Sequence, residues 1–357
     1  MSAMDKKPLT HVTSRVKKVA ALYHPATLKE KGILWATGLL MVTYLLGSLL
    51  LSIWWGNEPD PFDVTQNARE QAQQDESKIV VGYTTTSAVI RAAETLLTKP
   101  GGYLSNDIIP PGVMMDNIPN WEFGVLVQIR DIARSLRKDL GRSQSQSVEV
   151  PALYEAQTKF NFQNDSWAFP ATENEYQTAI NSLKGYVEQL SQKENAGTQF
   201  YARADNLREW LTDVEKSLGS LAQRLSASVG QTRINTDLAG DMGATQSTAT
   251  PDMVEVKTPW REIDDIFYEA RGTAWALIHF LKAIEVDFAE VLQQKNALVS
   301  LRQIVRELES TQDTVWSPVV LNGGGFGVVT NYSLIMAGYI SRANAAVIDL
   351  RELLQRG

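Results

Sequence analysis

The sequence predicts an all-α protein in which a single N-terminal transmembrane helix precedes a periplasmic bundle of long, coiled-coil-like helices. Three observations lead there. Ile33 to Trp55 is a run of 23 residues without a charge. Beyond it, apolar residues recur at alternating spacings of three and four, which gathers them on one helical face. No stretch sustains the period-two alternation of a half-buried strand.

Residues 1–32 read as a basic cytoplasmic tail. They hold seven of the 34 Lys/Arg and two of the 41 Asp/Glu, net +5, which leaves 27 basic against 39 acidic residues, net -12, for the rest. Val12, Val16, Val19 and Tyr23 fall at helical spacing among Arg15, Lys17 and Lys18. They fit either a basic helix on the inner leaflet or an unstructured tail. The apolar run 33–55 reaches roughly 34 Å as a helix, enough for a ~30 Å hydrocarbon core. Trp35, Trp54 and Trp55 suit its interfaces. A cleaved leader is disfavoured by the long basic region, the long apolar run and the lack of a small-residue cleavage site before "GNEPDP". Basic residues crowd the first flank, which predicts a cytoplasmic N-terminus and a periplasmic remainder in the inner membrane of a bacterium.

Residues 56–83 read as a polar tether with room for one short exposed helix. The domain from 84 to 357 opens with "TTTSAVIRAAETLL", where Val89, Ala93, Leu96 and Leu97 share a side. After a loop, Val125, Ile129, Ile132 and Leu136 continue the pattern. Thr172 and Glu175 have the spacing of a capping box. A seven-residue phase then runs 176, 183, 190, 197, 204, 211, 218, 225. One rod from 172 to 228 fits it; a break at "ENAGT" fits the helix cost of Gly197. Residues 229–258 have low hydrophobicity and no period and are expected to be a mobile loop. Thr258 and Pro259 would start a helix reaching Thr311, with Ile263, Ala270, Leu277, Ile284, Val291, Leu298 and Val305 every seven residues. Met336, Ile340, Ala343, Val347, Leu350 and Leu354 line a final helix.

Composition excludes more chemistry than it invites. With no cysteine there is no thiolate nucleophile or disulfide, and the three histidines are His11, His24 and His279. His279 sits in the apolar stretch "TAWALIHFLKAIEV" and reads as a core residue rather than a ligand or base. No metal and no cofactor is predicted, and a strongly acidic body argues against nucleic acid. "NGGGFG" at 322–327 lacks the Gly-Lys-Ser/Thr ending of a phosphate loop and reads as a tight hairpin with Phe326 near its tip. Asp264 and Asp265 suit a helix N-terminus.

The loop "KPGGYLSNDIIPPGVMMDNIPNWEFG", 99–124, is the candidate interaction site, with Tyr103, Ser105, Asp107, Asp116, Trp121 and Glu122 as its named residues. Two of its carboxylates would serve glycoside hydrolysis if brought together; Ser105 has no histidine near it in the chain. Its Ile108, Ile109, Val113, Met114, Met115, Ile118 and Trp121 predict a loop folded against the bundle. Arg130, Arg134 and Arg137 are candidate contacts to an anionic surface, with a paired helix face as the alternative.

The stretch "KPGGYLSNDIIPPGVMMDNIPNWEFGVLVQIRDIARSLR", the preceding "TTTSAVIRAAETLL" and the anchor resemble DUF2333, an uncharacterised bacterial family. The resemblance implies a single-pass inner-membrane protein and brings no catalytic residues with it. A membrane-tethered periplasmic scaffold or adaptor in envelope assembly or maintenance is the leading expectation, with no enzyme activity assigned. Inner-membrane lipid, envelope proteins or a second copy of the chain would be its partners. The alternatives are a ligand-binding sensor signalling through its anchor and a glycan-acting hydrolase.

Overall fold

Apolar spacing in this chain translates into helices almost everywhere, and their partners decide where each one stops. The computed structural model describes residues 21–142, 149–192, 198–234, 253–317, 319–325 and 327–356. The chain divides into two units, Met1–Trp54 and Trp55–Gly357.

In the first unit, α1 (Pro25–Lys31) starts with Pro25, whose missing N–H costs nothing there, and ends at Gly32 with φ 83°. Helix α2 (Ile33–Trp55) has the predicted bounds, buries none of its residues, and is long and apolar enough to cross a membrane. The expected amphipathic residues Val12, Val16 and Val19 lie outside the described part.

The second unit is a helical bundle: α3 (Val64–Gln71), α4 (Tyr83–Thr98), α5 (Asn117–Ser135), α6 (Pro151–Phe160), α7 (Thr172–Ser191) and α8 (Ala204–Ser226), then α9 (Ile263–Asp287), α10 (Ala289–Gln294), α11 (Leu298–Glu309) and α12 (Tyr332–Gln355). Its centre is α9, buried from Ala270 through Leu281 and packed against α4, α5, α8, α11 and α12. Helices α5 and α9 approach at a pair of glycines. A side chain on Gly272 would meet the carbonyl oxygen of Trp121 at 2.0 Å, and one on Gly124 would meet that of Glu269 at 2.1 Å. Only glycine allows this separation.

Several expectations are corrected. Residues 56–83 are not a free tether. Val64 and Ala68 of α3 are buried, the Glu58 carboxylate meets Arg271 at 2.6 Å, and Phe62 stacks on His279 with ring centroids 3.9 Å apart. The rod from 172 to 228 is two helices with different partners: α7 packs on α6 and α4, α8 on α12. Their common phase is coincidence. The helix expected from 258 to 311 breaks after Asp287 and again at Asn296, whose φ of 52° is a conformation asparagine tolerates better than most residues. Helix α11 then folds back on α9, with Arg302 to Glu285 at 2.7 Å and Lys282 to Glu309 at 2.6 Å. The seven-residue phase survives because both arms present apolar faces to one core. Its seams are spread over several neighbours, so the long coiled-coil pairing is not what holds the bundle.

Caps also differ from the expected ones. Thr172 is the first helical residue rather than a cap; its hydroxyl donates to the Gln163 and Ser166 carbonyls, and Glu175 pairs with Lys159 at 2.7 Å. The start of α9 is set by a 3-10 turn over Trp260–Glu262, not by Thr258. The first turn of α4 is capped from afar: Asp287 accepts from both the N–H and the hydroxyl of Thr85 at 2.7 Å. Residues 229–258 are not wholly loop, because Gln231–Ile234 (β1) and Met253–Val256 (β2) pair as an antiparallel ribbon. The residues between the strands lie outside the described part, as does Phe326. Near it, Asn322 and Asn331 form an isolated antiparallel bridge.

The directions of the helices gather several connections at one end. Asn120 of α5 bonds Asp265 of α9 at 2.7 Å, Arg224 near the end of α8 pairs with Glu269, and Arg271 donates to the Thr311 carbonyl just beyond α11. With Asn106 bonded to the Ser166 carbonyl at 2.9 Å and Asp116 lining one cavity with Trp260 and Val319, the connections 99–116, 161–171 and 257–262 and the described part of 310–331 share this end.

Candidate functional site

Two residues hold the opening loop. Lys99 follows α4, Glu122 lies in the second turn of α5, and their charged groups meet at 2.7 Å with both side chains buried. Gly101 and Gly102, at φ 87° and 73°, turn the chain so that its backbone faces Glu122. That carboxylate accepts from the N–H of Leu104 and of Ser105 at 2.9 Å and from the Ser105 hydroxyl at 2.5 Å. Lys99 also donates to the Gly102 carbonyl at 2.6 Å. Burial pushes the Glu122 carboxyl above its ordinary range, while Lys99, Ser105 and Leu104 pull it back. Tyr103 is buried edge-on against Tyr176, and burial raises its phenol.

The apolar residues of the loop split. Ile118 and Trp121 are buried, but Ile108, Ile109, Val113 and Met114 are exposed. The expectation that the whole loop folds inward is thus corrected: the ion pair pins its base and leaves its tip outside.

The loop's acids are dispersed. Glu122 is consumed by Lys99. Asp107 is raised first by burial and then by Glu173, and leaves no room for a side chain on Gly112, whose Cβ would lie 2.0 Å from its Oδ2. Asp116 caps α5 by accepting from the Asn117 N–H at 2.9 Å, and faces Asp264 and Asp265 across the helix pair. Asp116 and Asp264 line an open cavity of about 210 Å³ with Trp260, Arg261, Val319 and Val320. Beside it, burial and then repulsion from Asp116, Asp264 and Glu262 push Asp265 up to about 6. Both aspartates stand in the first turn of α9 as expected, where burial raises them first; backbone N–H groups of that turn pull Asp264 back, and repulsion from neighbouring carboxylates adds to the rise. Among the described residues no group of three or more His, Asp or Glu side chains is arranged to hold a metal ion.

Arg130, Arg134 and Arg137 are engaged internally. Arg130 donates to the Phe160 and Phe162 carbonyls at 2.7 Å, closing the end of α6. Arg134 bridges Asp131 and Asp213 at 2.7 and 2.9 Å. Arg137 pairs with Glu149 at 3.0 Å and lies over the Tyr154 ring.

His279 is a core residue with an assigned job. Its Nε2 accepts the Phe62 N–H at 2.9 Å, so Nδ1 carries the proton and donates to the Trp275 carbonyl at 2.7 Å. Burial lowers its pKa to about 4, which keeps the ring neutral.

Sequence reasoning missed Arg271. It bonds both oxygens of Glu58 and the carbonyls of Thr311 and Asp313. A lone arginine inside "EARGTAWALIHF" was the available signal, because a cation in an apolar face demands a partner. Lys99 carried a weaker one, since its position in a Pro-Gly-Gly turn resembles any solvated loop lysine.

A family described as "uncharacterized protein conserved in bacteria (DUF2333)" matches residues 28–357. No curated protein and no solved structure matches the chain.

Proposed function

The chain belongs to the DUF2333 family of bacterial proteins, and from that premise we propose that it is a membrane-tethered periplasmic scaffold in envelope assembly or maintenance. It is a membrane-anchored, largely helical protein. The basic flank of α2 supports a cytoplasmic N-terminus and a periplasmic bundle by the rule that positive loops stay inside. The observation that carries the non-catalytic reading is the dispersal of the loop acids. Glu122 is locked to Lys99 beneath the loop, Asp116 faces a different helix, and Asp107 faces Glu173.

A glycan-acting enzyme is the second reading. It draws on Asp116 and Asp264 beside the exposed Trp260 indole, with Asp265 at about 6 in the range of a general acid. One experiment separates the two. Asp107→Asn, Asp116→Asn and Asp265→Asn are introduced at the native locus, and envelope integrity and melting temperature are measured for each. Retained integrity supports the scaffold; its loss at unchanged melting temperature moves the enzyme to first place. Topology has its own test. A reporter active only in the periplasm should work after Gly357 and be silent before Lys29, and the reverse pattern would sink the localisation.

A further inference from the structure

The end of the bundle that gathers the loops also receives the chain from α2, and we infer that this rim seats on the bilayer. Its exposed apolar side chains enter the zwitterionic headgroup region of the membrane that α2 spans. The inference goes beyond the scaffold reading and rests only on α2 being a membrane span.

The first argument is reach. The chain leaves α2 at Trp55, and Glu58 is already bound to Arg271 at 2.6 Å. Three residues extend about 10 Å at most. Arg271 stands two turns into α9, roughly 10 Å along the axis from Asp264. The interfacial layer of a bilayer is itself about 5–8 Å deep on each side. A connection this short holds the rim within reach of the interface.

The second argument is what the rim displays. Met114 is 73% exposed, Phe169 102%, Trp260 81% and Trp316 91%. They come from four different connections at this end of the bundle. Asn106 ties the opening loop to the next one through the Ser166 carbonyl at 2.9 Å, and Asp116 shares a cavity with Trp260 and Val319. Scattered exposed apolar residues are ordinary, but large ones converging from separate loops mark a surface that is covered. Tryptophan is also a preferred side chain at the depth of lipid headgroups.

Charge selects the lipid. Around Trp260 the carboxylates of Asp116, Asp264 and Asp265 outnumber Arg261. A surface of that sign is repelled by anionic lipid and suits the ammonium of a phosphatidylethanolamine headgroup.

The chain contains no cysteine, so single-cysteine variants need no background removal. Met114→Cys, Phe169→Cys and Trp260→Cys are made in the full chain, with Val299→Cys as control. Val299 is 75% exposed at the start of α11, the opposite end of that helix from the rim. Each variant carries an environment-sensitive fluorophore and is reconstituted into phosphatidylethanolamine–phosphatidylcholine vesicles. The expected result at 114, 169 and 260 is a blue-shifted emission that is lost when lipids bear a nitroxide high on the acyl chain, with neither change at 299. No quenching at the three rim sites would overturn the inference. A blue shift without quenching would also overturn it, since the cover would then be protein, a second copy included. Adding phosphatidylglycerol should weaken the quenching; a stronger effect would overturn the assignment to zwitterionic headgroups.

Discussion

Replacing Lys99 with Met removes the cation that faces Glu122 while keeping much of the stem that packs around it. In the native chain the pair meets at 2.7 Å with side-chain exposures of 1% and 0%, so water cannot substitute for the lost ammonium. Leaving one partner of a buried pair uncompensated costs about 3–5 kcal/mol. The Gly102 carbonyl also loses its 2.6 Å donor, worth roughly 1 kcal/mol more. Three donors remain on the carboxylate, from Leu104 and Ser105, which keeps the total near the lower end of that range. For a body of this size about 2 °C of melting temperature accompanies each kcal/mol, so the variant should melt roughly 6–8 °C lower. The assay is thermal unfolding of the full chain in mild detergent, followed by far-ultraviolet circular dichroism. Arg302→Met is the comparison, because its pair with Glu285 is 62% and 25% exposed and such pairs contribute about 0–1 kcal/mol. The deficit should also depend on pH with a definite sign. Burial already raises the Glu122 carboxyl, and removing Lys99 raises it further. A group raised on folding weakens stability once pH exceeds its unfolded value, so the gap from wild type should narrow as pH falls from 8 toward 5. A Lys99→Met protein melting within 2 °C of Arg302→Met would refute the idea that the ion pair pins the loop.

Three further outcomes follow from the packing. Leu211→Asp or Leu218→Asp puts a charge on a buried side of α8 and should cost several kcal/mol, whereas Lys216→Ala, at an exposed position of the same helix, should change melting little. Asp265→Asn should raise the melting temperature at pH 7.5 and lose that gain by pH 4: the native carboxyl sits near 6, its charged form is disfavoured on folding, and below the unfolded value of 3.8 both proteins carry a neutral group. Because Asp265 is only half-buried beside an open cavity, the gain should be about 1 kcal/mol after solvent screening; an equal gain at both pH values would contradict the burial and repulsion that disfavour its charge. Gly272→Val should destabilise by about 1–3 kcal/mol or more through the Trp121 backbone, while Gly185→Ala on α7, where a Cβ meets nothing within 4 Å, should stabilise by about 0.5–1 kcal/mol. Matching effects at both glycines on unfolding curves would mean that the close crossing is not what holds α5 to α9.

What the sequence made legible was local. The span from Ile33 to Trp55 and the faces through Leu211, Leu218 and Met336 follow from periodicity, which is set within a turn or two of the residue concerned. What it hid depends on partners far away. The phase from Ile263 to Val305 looks continuous because each arm of a folded-back pair sees the same core; the break at Phe288 and the left-handed Asn296 together reverse the chain. The segment before α3 read as a tether because Glu58 and Phe62 look solvated until Arg271 and His279 stand opposite them. At the candidate site, the loop was legible as partly apolar, but which half lay inside was not. That depends on the Lys99–Glu122 pair, and nothing in the spacing of a lysine and a glutamate across a proline-rich loop announces that they meet.

The docking of residues 58 and 62 also constrains the order in which this protein can be made. Glu58 finds its partner 213 residues later and Phe62 finds His279 217 residues later. At about 5–20 residues per second of synthesis, the first stretch after the apolar helix waits roughly 10–40 s for the helix that receives it. Over the same interval α4 lacks Asp287 for its first turn, and α5 lacks the glycine-matched face of α9. Helices α3, α4, α5 and α8 are therefore born without the helix they share, and the faces they turn to it must be shielded until α9 emerges. Truncating the gene after residue 262 would leave α4, α6 and α7 packed on one another but strip α5 and α8 of their main partners, α9 and α12, and expose those faces to chaperones and proteases.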